Sequence, residues 1–133
     1  MRSPRLTAVL VAAVGFVAGS AVTAGLTDAV DPEIADTFGF AVSTPTGLVL
    51  LTYIADEFEF DRYFGERRPL GMVTDFSFSI MAAAVAGLFG TVALLGVLSP
   101  GLLLNSISGV IGFVGGIAAF FYTTREFLQL DER

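Results

Sequence analysis

The fold is decided by residues 76–122, whose sequence is FSFSIMAAAVAGLFGTVALLGVLSPGLLLNSISGVIGFVGGIAAFFY. Two apolar runs, residues 76–98 and 101–122, make up this stretch, and neither contains a charged side chain. Each run is long enough to cross the hydrocarbon core of a bilayer, which takes about 20 helical residues. Pro100 and Gly101 favour a tight turn between them, since both residue types interrupt a helix. We therefore predict a transmembrane hairpin and not a hairpin of a soluble bundle, because neither run has the polar stripe of a water-facing helix.

Two further apolar runs precede the hairpin. Residues 6–26 carry no charge and predict a first transmembrane helix. Residues 38–54 form a shorter run that contains Pro45, so we expect this span to be kinked or re-entrant. The four runs predict an all-α integral membrane protein with four transmembrane helices in one domain over all 133 residues. This assignment leaves an outer loop at residues 27–37 and an inner loop at residues 55–75.

The first run has a competing interpretation as a cleaved signal peptide. Arg2 and Arg5 precede it, and the small residues at 22–24 resemble a cleavage site. An uninterrupted apolar stretch of 21 residues is long for a signal-peptide core, which usually has about 7–15. We therefore favour a retained helix.

The composition agrees with a membrane protein and excludes several kinds of chemistry. Hydrophobic residues make up 54% of the chain and charged residues only 15%, whereas soluble domains are about a quarter charged. Cys and His are absent, which removes thiolate chemistry, His metal ligands and the usual general base near neutral pH. No catalytic, metal-binding or cofactor-binding pattern is visible in the remaining residues, so we expect no enzyme and no cofactor.

The charged residues are unevenly placed. All seven cations are Arg, and they lie in residues 1–5, 55–75 and 123–133, on one side of a four-span topology. Because basic residues favour the cytoplasmic side, both ends of the chain are predicted to be cytoplasmic, N-in and C-in. The net charge of −6 argues against nucleic acid as a partner, since nucleic-acid binding needs a basic surface. An acidic composition with Arg and no Lys is typical of a salt-loving archaeon, with codon bias in a GC-rich bacterium as the alternative.

The outer loop carries only acidic charged side chains, and carboxylates are ligands for divalent cations. The spacing lacks the central Gly and the ligand order of an EF-hand, so we expect a solvated acidic surface. The four residues are Asp28, Asp31, Glu33 and Asp36.

Glycine pairs four residues apart occur in the first and fourth runs. Such pairs place small residues on one helix face, where two backbones can approach closely. We expect close helix packing at these positions, either inside the chain or in a homo-oligomer. The residues are Gly15, Gly19, Gly112 and Gly116.

Polar side chains within the predicted spans are few and uncharged. Asp75 is the nearest ionisable residue, at the start of the third span, and we expect it in the headgroup layer. The hydroxyls around Pro45 either stabilise a kink or line a path for an ion or solute. The candidate lining residues are Ser43, Thr44, Thr46 and Asn105.

The inner loop mixes aromatic and charged residues. This pattern is typical of a segment at the headgroup boundary, where it contacts lipid or provides a docking surface for a protein partner. The residues concerned are Phe58, Phe60, Tyr63, Phe64, Arg67 and Arg68.

The four spans, the chain length, the predicted cytoplasmic ends and the acidic, Arg-only composition resemble the internal membrane protein of haloarchaeal pleomorphic viruses. The resemblance implies a structural envelope protein on the inner membrane face, with residues 55–75 and 125–133 facing the virion interior. It places the protein in a virion envelope or in an archaeal cell membrane, with the lipid bilayer as its main partner. The alternatives are a small channel, transporter or lytic pore, and an accessory subunit of a membrane complex.

Overall fold

A computed structural model describes residues 3–54 and 58–128. These residues form six α-helices and one short 3-10 helix, which confirms the all-α prediction for this part of the chain. In chain order they are α1 (Pro4–Leu26), α2 (Pro32–Val42), α3 (Thr44–Ile54), α4 (Phe60–Glu66), α5 (Pro69–Leu95), α6 (Leu102–Thr123) and the 3-10 helix Arg125–Phe127.

Three helices, α1, α5 and α6, are long and apolar enough to cross a membrane. Their outward faces are apolar and exposed, as at Val14, Phe89, Val92 and Val114. Lipid is the natural solvent for such surfaces, because exposed apolar patches of this extent are rare on soluble monomers. The described residues therefore contain three candidate membrane spans, or four if α2 and α3 together form one.

The second predicted span is two helices and not one. α2 and α3 meet at an angle of 46°. Between them the N–H of Ser43 donates to the carbonyl of Gly39 at 3.1 Å, and its hydroxyl donates to the carbonyl of Phe40 at 2.8 Å. Pro45 has no N–H and its ring crowds the preceding turn, so the helix changes direction here.

Two helices begin within segments predicted as loops. α2 begins at Pro32, inside the predicted outer loop, and α5 begins at Pro69, inside the predicted inner loop. Both helices have Pro in the first turn, where its missing N–H costs nothing and its fixed φ suits a helix. Charged residues near these starts, Glu33 and Asp36 in α2 and Asp75 in the second turn of α5, interrupt the apolar runs, which is why an apolar-run criterion places the helix starts too late.

The helices pack in three layers. α1 lies against α2 and α3, which in turn lie against the antiparallel α5–α6 hairpin. The bent α2–α3 pair is therefore the middle layer.

The turn between α5 and α6 includes Gly101 at φ 157°, a backbone conformation that residues with a side chain rarely adopt.

The two ends of the bundle differ in charge. One end, here called the Arg end, comprises α4, the starts of α1 and α5, the end of α6 and the 3-10 helix. It holds every Arg in the described part of the chain: Arg5, Arg62, Arg67, Arg68 and Arg125. The opposite end, here called the acidic end, holds the outer-loop carboxylates and the start of α6. Which end faces the cytoplasm stays a prediction.

The four paired glycines all contact helices of the same chain. A Cβ placed on Gly112 would lie 2.9 Å from the carbonyl oxygen of Ala83 in α5. One on Gly19 would lie 2.7 Å from the carbonyl oxygen of Gly39 in α2. Gly15 and Gly116 lie equally close to Thr46 and Thr44. At these positions the close packing is therefore internal to the chain.

Candidate functional site

Asp75 is the most deeply buried charged side chain in the described residues, with 1% of its surface exposed. It lies in the second turn of α5 and is buried between the helices of the Arg end, while its place in the headgroup layer stays a prediction. Arg67 binds the carboxylate through two atoms, Nε to Oδ2 at 3.0 Å and Nη2 to Oδ1 at 3.0 Å. The hydroxyl of Tyr63 donates a third hydrogen bond to Oδ2 at 2.9 Å. These three hydrogen bonds compensate the cost of burying the carboxylate.

Aromatic rings from α4, α5, α6 and the 3-10 helix surround Tyr63. Its ring meets those of Phe64, Phe120 and Phe127 edge-on, with centroids 5.0, 5.5 and 5.1 Å away. Burial raises the pKa of the Tyr63 phenol, and the nearby charge of Asp75 raises it further. Tyr63 therefore stays protonated and acts as a permanent donor to Asp75.

The prediction that the inner-loop aromatics contact lipid or a partner is wrong for three of them. Phe58, Tyr63 and Phe64 are buried in the protein core, and Phe60 is half-buried between Tyr53 and Phe64. The sequence does carry a signal for this outcome. Phe60, Tyr63 and Phe64 are spaced i, i+3, i+4, which is the apolar face of an amphipathic helix.

Further ionic contacts join the elements of the Arg end. Arg67 also binds Glu126 of the 3-10 helix at 3.1 Å. Arg62 pairs with Glu59 at 2.9 Å, donates to the carbonyl of Glu126 at 3.3 Å, and lies over the ring of Phe127. The hydrogen bond of Arg62 to Glu59 and that of Arg67 to Asp75 raise the pKa of both guanidinium groups, so both remain charged. The surface that results alternates in charge and includes the exposed Arg68.

The candidate lining residues meet in one lateral groove between α1 and α6, with α2 and α3 as its floor. Its wider part, about 430 Å³, includes Ser43 and Asn105, and its narrower part, about 320 Å³, includes Ser43, Thr44 and Thr46. The parts share the walls Phe16, Phe40 and Gly109. The groove opens at the side of the bundle and does not run through its centre as a pore would.

Most of these polar groups already have partners. The hydroxyl of Thr46 donates to the carbonyl of Ala12 in α1 at 2.6 Å. The Asn105 amide donates to Oδ2 of Asp36 at 2.9 Å, so α6 and α2 are joined near the acidic end. Asp36 was assigned to a solvated loop by the sequence. Its place at the groove depends on a partner 69 residues away, which no local pattern indicates.

Buried hydroxyls also lie where the middle layer meets the hairpin. Thr37 and Thr91 are hydrogen-bonded at 3.0 Å, and Ser79 donates to the carbonyl of Gly116 at 2.8 Å. Thr44 and Ser108 are each 2% exposed, and their hydroxyls have no partner within the described residues. Buried polar groups without a hydrogen-bond partner cost free energy, so these two hydroxyls destabilise the contact between the middle layer and the hairpin.

The described residues contain no group of three or more carboxylates positioned to hold a metal ion. Comparison of the chain with protein families, with curated proteins and with solved structures finds no match. Any functional assignment therefore rests on the geometry of the Arg end and of the groove.

Proposed function

We propose that this chain is a non-enzymatic structural protein of a membrane, which presents the Arg end as a rigid face toward the bilayer surface or a protein partner. The observation that carries the proposal is the buried ion pair between Asp75 and Arg67. It joins the end of α4 to α5, and Glu126 extends the connection to the segment after α6. If the segment between α3 and α5 served only as a connector, α4 would not need to be bonded to both neighbouring elements.

The energetics of the Asp75–Arg67 pair indicate that it fixes the position of α4 more than it stabilises the fold. Burying two charges costs free energy that their attraction only partly recovers, so a buried pair adds little net stability. It does restrict α4 to one arrangement, because any other leaves an uncompensated charge among aromatic rings. A face of fixed shape is what a scaffold needs in order to bind repeatedly in the same way.

The setting we propose is the membrane of a halophilic archaeon or the envelope of a virus that infects one. The excess of acidic residues and the use of Arg alone as cation support this setting. In the envelope the Arg end would face the virion interior, following the preference of basic residues for the cytoplasmic side.

Limited proteolysis tests the rigid face. Trypsin cleaves after Arg, and Arg62 lies in an exposed position on α4. In opened vesicles the wild-type chain should resist cleavage at Arg62, whereas Asp75→Asn should be cut there rapidly, because α4 loses its anchor. Rapid cleavage of the wild type would contradict a rigid face.

Isolated membranes or enveloped particles should also contain the protein in high copy number.

A channel or transporter is the second candidate, and the unpartnered hydroxyls of Thr44 and Ser108 favour it. A path for ions or solutes needs polar groups free to bind them. Liposomes containing the protein should show no flux above empty vesicles if the structural proposal holds. Flux that disappears in a Thr44→Val, Ser108→Ala double variant would establish transport instead.

A further inference from the structure

We infer that the lateral groove between α1 and α6 binds one membrane amphiphile, with an ammonium-bearing head at Asp36 and an alkyl chain in the narrower part. The site is independent of the Arg end and of the scaffold role. Three features support it: a carboxylate at the groove's polar end, an apolar slot that continues from it, and an opening toward the bilayer.

The polar end offers acceptors and one negative charge. Asp36 is half-buried and accepts a hydrogen bond only from the uncharged Asn105 amide, with no cation beside it in the described part of the chain. The hydroxyl of Thr23 donates to the carbonyl of Gly19, so its lone pairs stay available as acceptors. Ser20 and Ser106 complete the polar wall. A head with several N–H donors and a positive charge matches this set.

The apolar slot extends from the polar end toward the Arg end. Phe16 and Phe40 form the junction, and Leu50, Val110 and Phe113 form the continuation. From Asp36 to Leu50 the helical path covers about 20 Å at the usual rise per residue. That length reaches from the edge of the hydrocarbon core past its middle, as one alkyl chain does.

Glycines keep the slot open. A Cβ on Gly47 would lie 2.7 Å from the ring of Phe113, and a Cβ on Gly109 would lie 3.3 Å from the ring of Phe40. Side chains at these positions would therefore push the rings into the slot. Phe16 and Phe40 are 64% and 52% exposed in the protein alone, so a bound chain would cover large apolar surfaces.

Charge complementarity decides which amphiphile binds. Any lipid chain can fill an apolar slot in a bilayer, so the slot alone is not selective. A half-buried carboxylate at the edge of the hydrocarbon core is costly without a cationic partner, and a bound ammonium group supplies one. An anionic head would instead be repelled by Asp36. The second chain of a two-chain lipid would remain in the surrounding bilayer.

Native mass spectrometry of the full chain in detergent tests this inference. The probes are dioleoylphosphatidylethanolamine, which has an ammonium head, and dioleoylphosphatidylglycerol, which has an anionic one. The wild type should retain the ammonium lipid about tenfold more tightly. Asp36→Asn should abolish this preference, whereas Asp28→Asn, which changes an exposed carboxylate outside the groove, should keep it.

A second variant tests the slot separately. Leu50→Trp fills it from an exposed position and should weaken binding of the ammonium lipid, whereas Val92→Trp on the lipid-facing side of α5 should not. Equal retention of both lipids by the wild type, or preference for the anionic one, would overturn the inference without relying on any variant. Unchanged binding in a folded Leu50→Trp protein would also overturn it.

Discussion

The guanidinium of Arg67 binds both carboxylate oxygens of Asp75, with two N–O distances of 3.0 Å. The two residues are eight positions apart, across the turn between α4 and α5. The carboxylate is 1% exposed and the Arg67 side chain 28%, so salt screens this partly buried contact much less than a surface pair. The stability of the Arg end should therefore depend on it even at high ionic strength.

Asp75→Asn should destabilise the protein by about 1–3 kcal/mol, because Arg67 keeps only its contact with Glu126 and the Tyr63 hydroxyl loses its charged acceptor. Thermal unfolding in detergent measures the effect. Asp61→Asn is the matched control, since Asp61 is exposed on α4 and should tolerate the change. Equal melting temperatures for the two variants would show that the pair does not hold the Arg end together.

Tyr63→Phe keeps the aromatic packing and removes only the hydroxyl that donates to Asp75. A hydrogen bond to a charged group contributes about 1.5–3 kcal/mol, so a loss of that size is expected in the free energy of unfolding. Tyr53→Phe is the control, because Tyr53 is 52% exposed. A Tyr63→Phe protein as stable as the wild type would mean that Arg67 alone satisfies the carboxylate.

Gly112→Leu should separate α5 from α6 and cost about 1–3 kcal/mol, as overpacking does elsewhere. The reason is the 2.9 Å approach between a Cβ at this position and the Ala83 carbonyl. Gly25→Leu is the control, since a Cβ there meets nothing within 4 Å. The melting temperature in detergent distinguishes them, and an unchanged value for Gly112→Leu would indicate that this helix face meets lipid.

Single cysteines at Ala29 and Gly65 should label from opposite sides of sealed vesicles. Both residues are exposed, Ala29 at the acidic end and Gly65 on α4. The chain has no native Cys, so each labelling signal has a single source. Labelling from the same side would exclude α2 and α3 as one bent span and leave a re-entrant pair.

The sequence is sufficient to predict the long apolar helices and the segregation of Arg, because both depend on local composition. It also marks the paired glycines, although not which helix each one meets. It does not show that Asp75 is buried or that Asp36 lies in the groove, because a charged residue at the end of an apolar run gives no sign of its distant partner. The partners are Arg67 and Asn105, and only the folded chain brings them into contact. The bend at Ser43 was foreseeable from Pro45, but its angle depends on packing against both neighbouring layers.

The covering of Tyr63 by Phe127 has a consequence for biosynthesis. α4 leaves the ribosome well before the 3-10 helix is translated, and Phe58 forms its antiparallel bridge with Leu128, 70 positions later. During that interval the aromatic face of α4 has no cover from these residues and is exposed to chaperones and proteases. A translation product that stops after α6 would still have its apolar helices in the bilayer but would keep this face open. The aromatic face of α4 at the Arg end is therefore covered in a chain that includes residues 127 and 128 and uncovered in one that stops before them.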